Sequence, residues 1–326
     1  MKSMATMVAA AVFGIAALAP AARAADEPYP NRPVKLIVPY TPGTGIDILA
    51  RTLGQKLSEE WKVPVVVENR PGASGAIGTE AVAKSAPDGY TILMQASTIV
   101  IDPSMHKKSS YDPVKDFEPV APLAIGNMGL VVNPSVKAET VKELVALAKA
   151  SPGRLTYASP GSGTPHHLAM ELFKARTGID VLHVPYKGTG GAVQDLLGGQ
   201  VNMMFLPIHV ALSQVQAGKL RLLAAGGTRR AAVTPNVPSL AEASGVEDID
   251  VDIWYAMYAP AGTPAPIVAK LNADVDALLR SNEVAVALRK QGLTPTGGTP
   301  AELADLTRKD FARWAKVITG AHITAD

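Results

Sequence analysis

Short apolar runs alternate with longer segments of helical period along most of this chain of 326 residues. Residues 34–38, 65–67 and 91–94 are rich in Val, Ile and Leu, whereas residues 46–60 and 76–84 repeat apolar positions every three or four residues. Runs of β-branched residues favour strands, and the helical repeat favours amphipathic helices. The alternation predicts an α/β unit in which each strand is followed by a helix.

A second series of the same kind follows residues 102–122, which are rich in Pro, Asp and Lys and are interpreted as irregular. The pattern predicts strands at 130–132, 155–158, 181–184 and 201–205, with helices between them. Near the end of the chain it predicts one more strand at 254–258 and further helices. Two α/β units therefore account for most of the chain.

Several predicted helices have recognisable ends. Thr140 and Glu143 have the spacing of a capping box, as do Thr299 and Glu302, where proline occupies the first helical position. A helix predicted over 165–177 is followed by Gly178, a residue that easily adopts the left-handed conformation found after helix ends.

The first residues resemble an export signal. Met1 and Lys2 precede an uncharged, apolar segment, residues 4–18, and Ala22-Arg23-Ala24 has the small-x-small pattern of a cleavage site. The apolar segment is shorter than the roughly 18 residues of a membrane helix, although an uncleaved anchor is the alternative. We expect cleavage after about Ala24 and a periplasmic mature protein.

Composition narrows the possible functions. The chain has 31 basic and 29 acidic residues, and loss of Lys2 and Arg23 with the signal peptide leaves 29 of each. A neutral chain with scattered charges has no basic surface for nucleic acid, which is therefore not an expected partner. The absence of cysteine excludes disulfides and thiolate metal sites. About 300 mature residues favour two domains.

Three glycine-rich loops join a predicted strand to a predicted helix. They are residues 39–45, 157–165 and 184–191. Free amide groups at a helix start bind anions, and glycine lets a ligand approach the backbone. Ligands of open α/β sheets bind at the carboxyl ends of the strands, so the three loops predict one shared anion site, with an ordinary turn as the alternative for each loop.

These loops do not have the pattern of nucleotide-binding sites. The third glycine of a Gly-x-Gly-x-x-Gly fingerprint is replaced by Ile48, His166 and Val193, and none of the loops ends in Gly-Lys-Ser/Thr. A carboxylate held by amides and hydroxyls is the preferred interpretation.

The sequence leaves the roles of Asp47 and of two histidines open. Asp47 lies at a helix start, where it would support the loop or, alternatively, receive the amino group of an amino acid. His166 and His167 point about 100° apart on a helix, so they do not readily share a metal ion. One of them is expected to face the ligand.

No catalytic constellation is predicted. Ser159 and Ser162 both lack the Gly-x-Ser-x-Gly context of a hydrolase nucleophile. Met204, Phe205, Trp254 and Tyr255 are interpreted as core or cleft wall. No cofactor and no metal ion are expected.

Many short motifs, in order, give the chain a family resemblance. They include Tyr29-Pro30-x-Arg32-Pro33, Leu36-Ile37-Val38-Pro39, Asp47-Ile48-Leu49-Ala50-Arg51, Val66-Val67-Glu68-Asn69-Arg70-Pro71-Gly72, Pro87-Asp88-Gly89-Tyr90, Val184-Pro185-Tyr186-Lys187-Gly188 and Ala259-Pro260-Ala261-Gly262-Thr263-Pro264. The sequence resembles the substrate-binding receptors of tripartite tricarboxylate transporters, the Bug or TctC family of periplasmic solute-binding proteins. It departs from the commonest family loop, Pro-Gly-Gly-x-x-Asp, by placing Thr44 between Gly43 and Gly45.

The resemblance implies an α/β fold of the two-domain periplasmic-binding-protein type II, the Venus flytrap, with mixed, mostly parallel sheets flanked by helices. The implied domains are 25–125 with 228–326, and 126–227, with the ligand cleft between them. The implied function is capture of a small organic carboxylate, a di- or tricarboxylate that could be aromatic, by a monomer that delivers it to membrane transporter subunits. A ligand sensor for a two-component system, an amino-acid receptor and a periplasmic enzyme are the alternatives. The candidate ligand-binding residues are Tyr40, Thr41, Gly43, Thr44, Gly45, Asp47, Ser97, Ser159, Ser162, Gly163, Thr164, His166, His167, Tyr186, Lys187, Gly188, Phe205 and Pro207.

Overall fold

A computed structural model describes residues 29–105, 109–247 and 249–320, so the predicted signal peptide lies outside the described residues. The strands β1 to β11 are Val34–Val38, Val65–Asn69, Thr91–Ala96, Phe117–Gly126, Met128–Val132, Thr156–Ser159, Leu182–Pro185, Met203–Pro207, Arg221–Ala225, Ile253–Pro260 and Leu293–Pro295. The helices α1 to α11 are Gly45–Trp61, Ala76–Ala83, Thr98–Met105, Val141–Ala150, Pro165–Thr177, Thr189–Leu197, Ile208–Gln216, Leu240–Ser244, Ala265–Arg280, Asn282–Lys290 and Pro300–Gly320, and a 3₁₀ helix, Ala73–Gly75, precedes α2.

The strands form two sheets with helices packed on them. The first sheet has the order β11-β4-β10-β3-β1-β2 and the second has the order β7-β6-β8-β5-β9. Parallel pairing joins β1 to β2 and β3, and it joins β6 to β7 and β8. The remaining strands, β4, β5, β9, β10 and β11, pair antiparallel. The predicted α/β class with two mixed sheets is confirmed. Five of the nine strand pairs in the described chain are antiparallel, so the sheets are not mostly parallel, and parallel pairing is confined to the strands that crossover helices connect.

The chain passes from the first sheet to the second where β4 ends at Gly126 and β5 begins at Met128. It returns between the end of β9 at Ala225 and the start of β10 at Ile253. Helix α8, within that return, packs against α4 and β9. This contact favours a return passage nearer to Ile253 than the predicted limit at residue 227. The predicted domain limits stay a prediction.

The prediction for residues 102–122 is wrong, because this stretch contains the end of α3 and the first half of β4. The sequence did not predict this strand because it contains two prolines, and proline cannot donate a hydrogen bond to a neighbouring strand. Pro119 and Pro122 pair with Tyr258 and Ala256 of β10 at the two places where the register of the ladder shifts. The irregular pairing lets a proline-containing strand lie inside the sheet.

Local sequence sets several helix ends. The backbone amide of Gly178, in the left-handed conformation with φ 69°, donates to the carbonyl of Lys174 at 2.8 Å and ends α5. The capping box at Thr299 is complete, since Glu302 and Thr299 exchange both hydrogen bonds. At Thr140 it is half formed, because the carboxylate of Glu143 accepts from the amide of Glu139. Within the described ranges, no helix combines the length and apolar character needed to cross a membrane.

Candidate functional site

A cavity of about 320 Å³ is lined from both sheets. This volume lies within the usual range for small-molecule sites. Residues of the first sheet and its loops that line it are Tyr40, Thr41, Pro42, Gly43, Thr44, Gly45, Ile46, Ala96, Thr98, Ile253 and Tyr255. Residues from the second sheet and its loops are Pro165, His166, Thr189, Gly190, Pro207, His209 and Val210.

Five helices of the described chain begin at this cavity. Each contributes first-turn residues to the wall: Gly45 and Ile46 of α1, Thr98 of α3, Pro165 and His166 of α5, Thr189 and Gly190 of α6, and His209 and Val210 of α7. Helix starts carry unpaired amides and the positive end of the dipole. Among the described wall residues there is no Asp, Glu, Lys or Arg. The wall therefore attracts anions without a formal positive charge.

Asp47 braces the loop that precedes α1. Its carboxylate accepts hydrogen bonds from the Gly43 amide at 2.9 Å, from Arg51 Nε and Nη2 at 3.0 Å each, and from Asn69 Nδ2 at 2.8 Å. Burial opposes the charge, but the hydrogen bonds from Arg51, Gly43 and Asn69 outweigh it and hold the pKa of Asp47 below its usual value. Asp47 does not belong to the cavity wall, which favours loop support over ligand contact.

The two glycines of this loop are required for different reasons. Gly43 has a φ of +85° with open space around it, and its amide is already used by Asp47. At Gly45 a Cβ atom would lie 2.5 Å from the Tyr255 hydroxyl, so the side chain of Tyr255 excludes any larger residue. The hydroxyl of Thr44 donates to the carbonyl of Thr41 at 3.1 Å and holds the loop together.

A polar network behind the loop orients Tyr40. Its hydroxyl donates to Gln95 Oε1 at 2.7 Å and contacts the Thr98 hydroxyl, and Gln95 Nε2 donates to Thr79 Oγ1 at 2.6 Å. Burial raises the pKa of Tyr40 above its usual range, so the phenol stays neutral. Thr98 and Gln95 were not predicted from the sequence. Ser97 is buried and its amide donates to the carbonyl of Trp254, whereas Thr98 lines the cavity.

His166 is the histidine that faces the cavity, and His209 joins it on the wall. Both ring nitrogens of His166 are buried and have no hydrogen-bond partner among the described residues. Burial, and then the proximity of His209, lower the pKa of His166 to about 4, and burial lowers the pKa of His209. His209 was not predicted from the sequence, because the strand before it leads into its helix without glycines. The described residues contain no group of three or more potential metal ligands.

His167 does not line the cavity but belongs to a stack of rings, and Ser159 contacts that stack. The rings of His167 and His183 lie 4.1 Å apart with a 7° angle between their planes, and Tyr157 stacks on His183. Ser159 Oγ lies 2.6 Å from His183 Nε2, and the Gly163 amide donates to His167 Nδ1 at 3.0 Å. These contacts fix the second glycine loop from within, away from the cavity wall.

Some of the predicted site residues line the cavity and others do not. Tyr40, Thr41, Gly43, Thr44, Gly45, His166 and Pro207 line the cavity. Asp47, Ser97, Ser159, Ser162, Gly163, Thr164, His167, Tyr186, Lys187, Gly188 and Phe205 are not part of its wall. Tyr186 donates to Asp195 at 2.6 Å, and burial followed by this bond raises its pKa to about 12. In the third loop, Thr189 and Gly190 take the place predicted for Lys187 and Gly188.

Two mixed α/β sheets with a cavity lined from both are the architecture of a two-domain periplasmic solute-binding protein, and solved structures of that class match this fold. A family model described as "Tripartite tricarboxylate transporter family receptor" matches residues 49–323. The chain belongs to this family, which confirms the resemblance in its motifs.

Similar proteins cover almost the whole chain. Protein BugT of Bordetella pertussis is 38% identical over 319 residues, which are 96% of this chain and 98% of that protein. The structure of R. palustris Rpa4515 with adipate is 35% identical with a TM-score of 0.84, and the match covers 91% of this chain and 100% of that chain. MatC from Rhodopseudomonas palustris with bound malate is 31% identical with a TM-score of 0.78, and the match covers 89% and 100%.

Proposed function

We propose that this protein captures a small organic carboxylate in the cavity between its sheets and delivers it to a transporter of the tripartite tricarboxylate type. The observation that carries the proposal is the convergence of five helix starts on a wall that has no acidic or basic side chain among the described residues. Such a wall stabilises a negative charge through amides and dipoles.

The chemistry of the wall favours a ligand with more than one polar end. Pro42, Ile46, Ile253, Pro207 and Val210 add apolar surface between the helix starts. An aliphatic or aromatic spacer would contact this surface, while carboxylates reach the amides. Two similar proteins were solved with adipate and with malate, which are both dicarboxylates. A dicarboxylate is therefore the class that we favour, with a tricarboxylate next.

An amino acid fits the wall less well. Recognition of an ammonium group normally uses an acidic side chain, and the carboxylate of Asp47 is occupied by Gly43, Arg51 and Asn69. A sensor for a two-component system would use the same cavity and would differ in its membrane partner. Copurification with transporter subunits, rather than with a histidine kinase, would support the transport role.

An enzymatic role has little support. Ser159 and His183 are close enough for a nucleophile and base, but Ser159 has no exposed surface and neither residue lines the cavity. Binding without turnover is the role that we propose.

Capture would involve closure of two domains, which we propose to comprise 25–125 with 228–326, and 126–227, with the return passage running over the second domain as far as α8. Contacts that a ligand makes with both sets of helix starts would favour the closed form. We also propose export to the periplasm with cleavage after about Ala24, and a monomeric mature protein.

Thermal-shift and native mass-spectrometry screening of the mature protein tests this function. We expect di- or tricarboxylates to raise the melting temperature, with a 1:1 complex in the mass spectrum, and amino acids or neutral sugars to have no effect. Stabilisation by a sugar in the absence of any response to carboxylates would contradict the proposal.

A further inference from the structure

Two histidines face the cavity from the second sheet, in equivalent positions on different helices. His166 is the second residue of α5, and His209 is the second residue of α7. The other contributions of the second sheet to the described wall are Pro165, Thr189, Gly190, Pro207 and Val210. Apart from the Thr189 hydroxyl, the imidazoles are the polar side chains on this side.

The described residues leave the hydrogen-bonding capacity of the His166 imidazole unused. Both of its ring nitrogens are buried and lack a hydrogen-bond partner within the described chain. A buried polar group without a partner destabilises the folded state, and most buried polar groups are therefore paired. An unpaired imidazole on the wall of a cavity is explained if a ligand supplies the missing partner.

Burial keeps both imidazoles neutral at neutral pH. Burial and the neighbouring His209 hold the pKa of His166 near 4, and burial lowers the pKa of His209. Their positions at helix starts add the positive end of the dipole, which also disfavours imidazolium. An anion beside the pair reverses this balance because it stabilises the positive charge.

We propose that His166 and His209 form the subsite for the second carboxylate of a dicarboxylate ligand, whose first carboxylate is held by the starts of α1 and α3. The inference rests on the proposed carboxylate-binding function and specifies its ligand class. Each neutral imidazole has one N–H to donate to a carboxylate oxygen. When the dianion enters, one imidazole takes a proton from solvent, and the resulting imidazolium pairs with the carboxylate.

Other groups on the described wall do not compete for this proton. The titratable residues that share the cavity are Tyr40 and Tyr255, and burial raises the pKa of both above the usual range. Several charged groups on the surrounding elements have partners elsewhere. Glu171 pairs with Lys174 on α5, and Asp195 accepts from Tyr186 on α6. Arg221 on β9 donates to the carbonyls of Val136 and Ala138, and Asp252 accepts from Asn127, Met128 and Gly227.

The test compares dicarboxylates with monocarboxylates of equal length. Succinate, adipate and suberate are titrated into the mature protein by calorimetry, beside butyrate, hexanoate and octanoate. We expect at least one dicarboxylate to bind about tenfold or more tightly than its monocarboxylate, as for a hydrogen bond to a charged group. In the His166→Ala and His209→Ala variants, the affinity for that dicarboxylate should fall by about 10-fold to 100-fold. The affinity for the matching monocarboxylate should change less than threefold.

Proton uptake provides a readout that a structural role would not change. Binding enthalpies at pH 6.5 in buffers of different ionisation enthalpy should report uptake of up to one proton per dicarboxylate in the wild type. Uptake should be near zero in the double Ala variant and for monocarboxylates. Lys219→Ala, an exposed charge just beyond α7, is the control and should change neither affinity nor uptake.

The outcomes separate the two proposals. If carboxylates bind but both Ala variants keep the preference for the dicarboxylate, or if no proton is taken up, the histidine subsite is wrong and the proposed function stands. If the wild type binds none of the six acids and no other carboxylate, the proposed function fails and the subsite fails with it.

Discussion

The carboxylate of Asp252 accepts a hydrogen bond from the backbone amide of Met128, with 2.9 Å between Oδ1 and N. Its other oxygen accepts from Asn127 Nδ2 at 2.9 Å and from the Gly227 amide at 3.1 Å. Asn127 and Met128 mark the passage from β4 to β5, and Asp252 directly precedes β10. One side chain therefore ties together the segments that pass between the sheets, where domain closure would bend the chain.

Asp252→Asn should change how stability depends on pH. Burial raises the pKa of Asp252 to about 6, from 3.8. Because the folded-state pKa is the higher one, the stabilising contribution is fully present below pH 3.8 and is lost as the pH rises through 6. Between pH 4 and pH 8, the free energy of unfolding of the wild type should fall by about 2–3 kcal/mol relative to the variant. Urea unfolding at both pH values measures this difference.

The Asp252→Asn substitution also removes one hydrogen-bond acceptor. This loss changes the free energy of unfolding by the same amount at every pH, so it cancels in the comparison of the two pH values. An identical difference between wild type and Asp252→Asn at both pH values would show that the carboxylate has an ordinary pKa.

His166→Gln should have the opposite pH dependence in the ligand-free protein. The pKa of His166 falls from 6.5 to about 4, so the unfolded chain binds more protons between these values. The contribution of His166 to stability is present above pH 6.5 and is lost as the pH falls through 4. From pH 7 to pH 4 the wild type should lose about 3 kcal/mol relative to the variant. Parallel stability profiles of the two proteins would contradict the low pKa.

Gly45→Ala should disrupt the first loop through a clash that a second substitution relieves. The new Cβ atom would lie 2.5 Å from the hydroxyl of Tyr255. Overpacking of this kind costs about 1–3 kcal/mol. We expect Gly45→Ala to weaken carboxylate binding at least tenfold, and Tyr255→Phe in the same protein to restore part of the stability and affinity. Absence of any rescue in the double variant would place the cause elsewhere.

Gly43→Ala and Gly178→Ala form a matched pair. Both glycines have positive φ angles, +85° and +69°, and open space where the Cβ atom would be. Each substitution should lower the free energy of unfolding by about 1–2 kcal/mol through backbone strain. Ligand affinity should fall for Gly43→Ala alone, because Gly178 follows α5 at the end opposite the cavity. Equal effects on affinity would argue against the first loop as an anchor.

Asp47→Asn tests whether this carboxylate braces the loop or contacts the ligand. Loss of the charged hydrogen bonds with Arg51 should cost about 1–3 kcal/mol of stability, measured by urea unfolding at pH 7. Since the pKa of Asp47 is lowered in the folded protein, this contribution is present at neutral pH and is lost as the pH falls below 3.8. Affinity should weaken alike for all carboxylates, whereas a selective loss of amino-acid binding would support the amino-acid alternative.

Much of the local structure was predictable because it depends on neighbouring residues. The predicted strand at 34–38 and the predicted helix at 165–177 have the bounds of β1 and α5. Residues 102–122 were misread because Pro119 and Pro122 are strand residues only where the partner strand shifts its register. That shift is a property of the pairing, which local sequence does not contain.

The candidate site was predicted in part. The glycine loops predict Gly43, Gly45 and His166 as wall residues, but they do not predict His209, because no glycine loop precedes its helix. Lys187 and Phe205 were predicted but are not part of the wall, whereas the wall contains Thr189, which was not predicted, and Pro207, which was. Adjacent strand residues face opposite sides of the sheet, and helix residues one or two positions apart point in different directions. Proximity in sequence therefore does not decide which side chain reaches a cavity.

The sequence by itself determined the family, the three units in which a glycine loop joins a strand to a helix, and the absence of disulfides, since these depend on residue identity and local periodicity. The tertiary structure decided that Asp47 is enclosed by Gly43, Arg51 and Asn69, that Tyr255 makes glycine necessary at position 45, and that His166 and His209 line the same side of one cavity. These relationships join segments far apart in the chain. They exist only once packing of the two sheets has brought five helix starts to the same cavity.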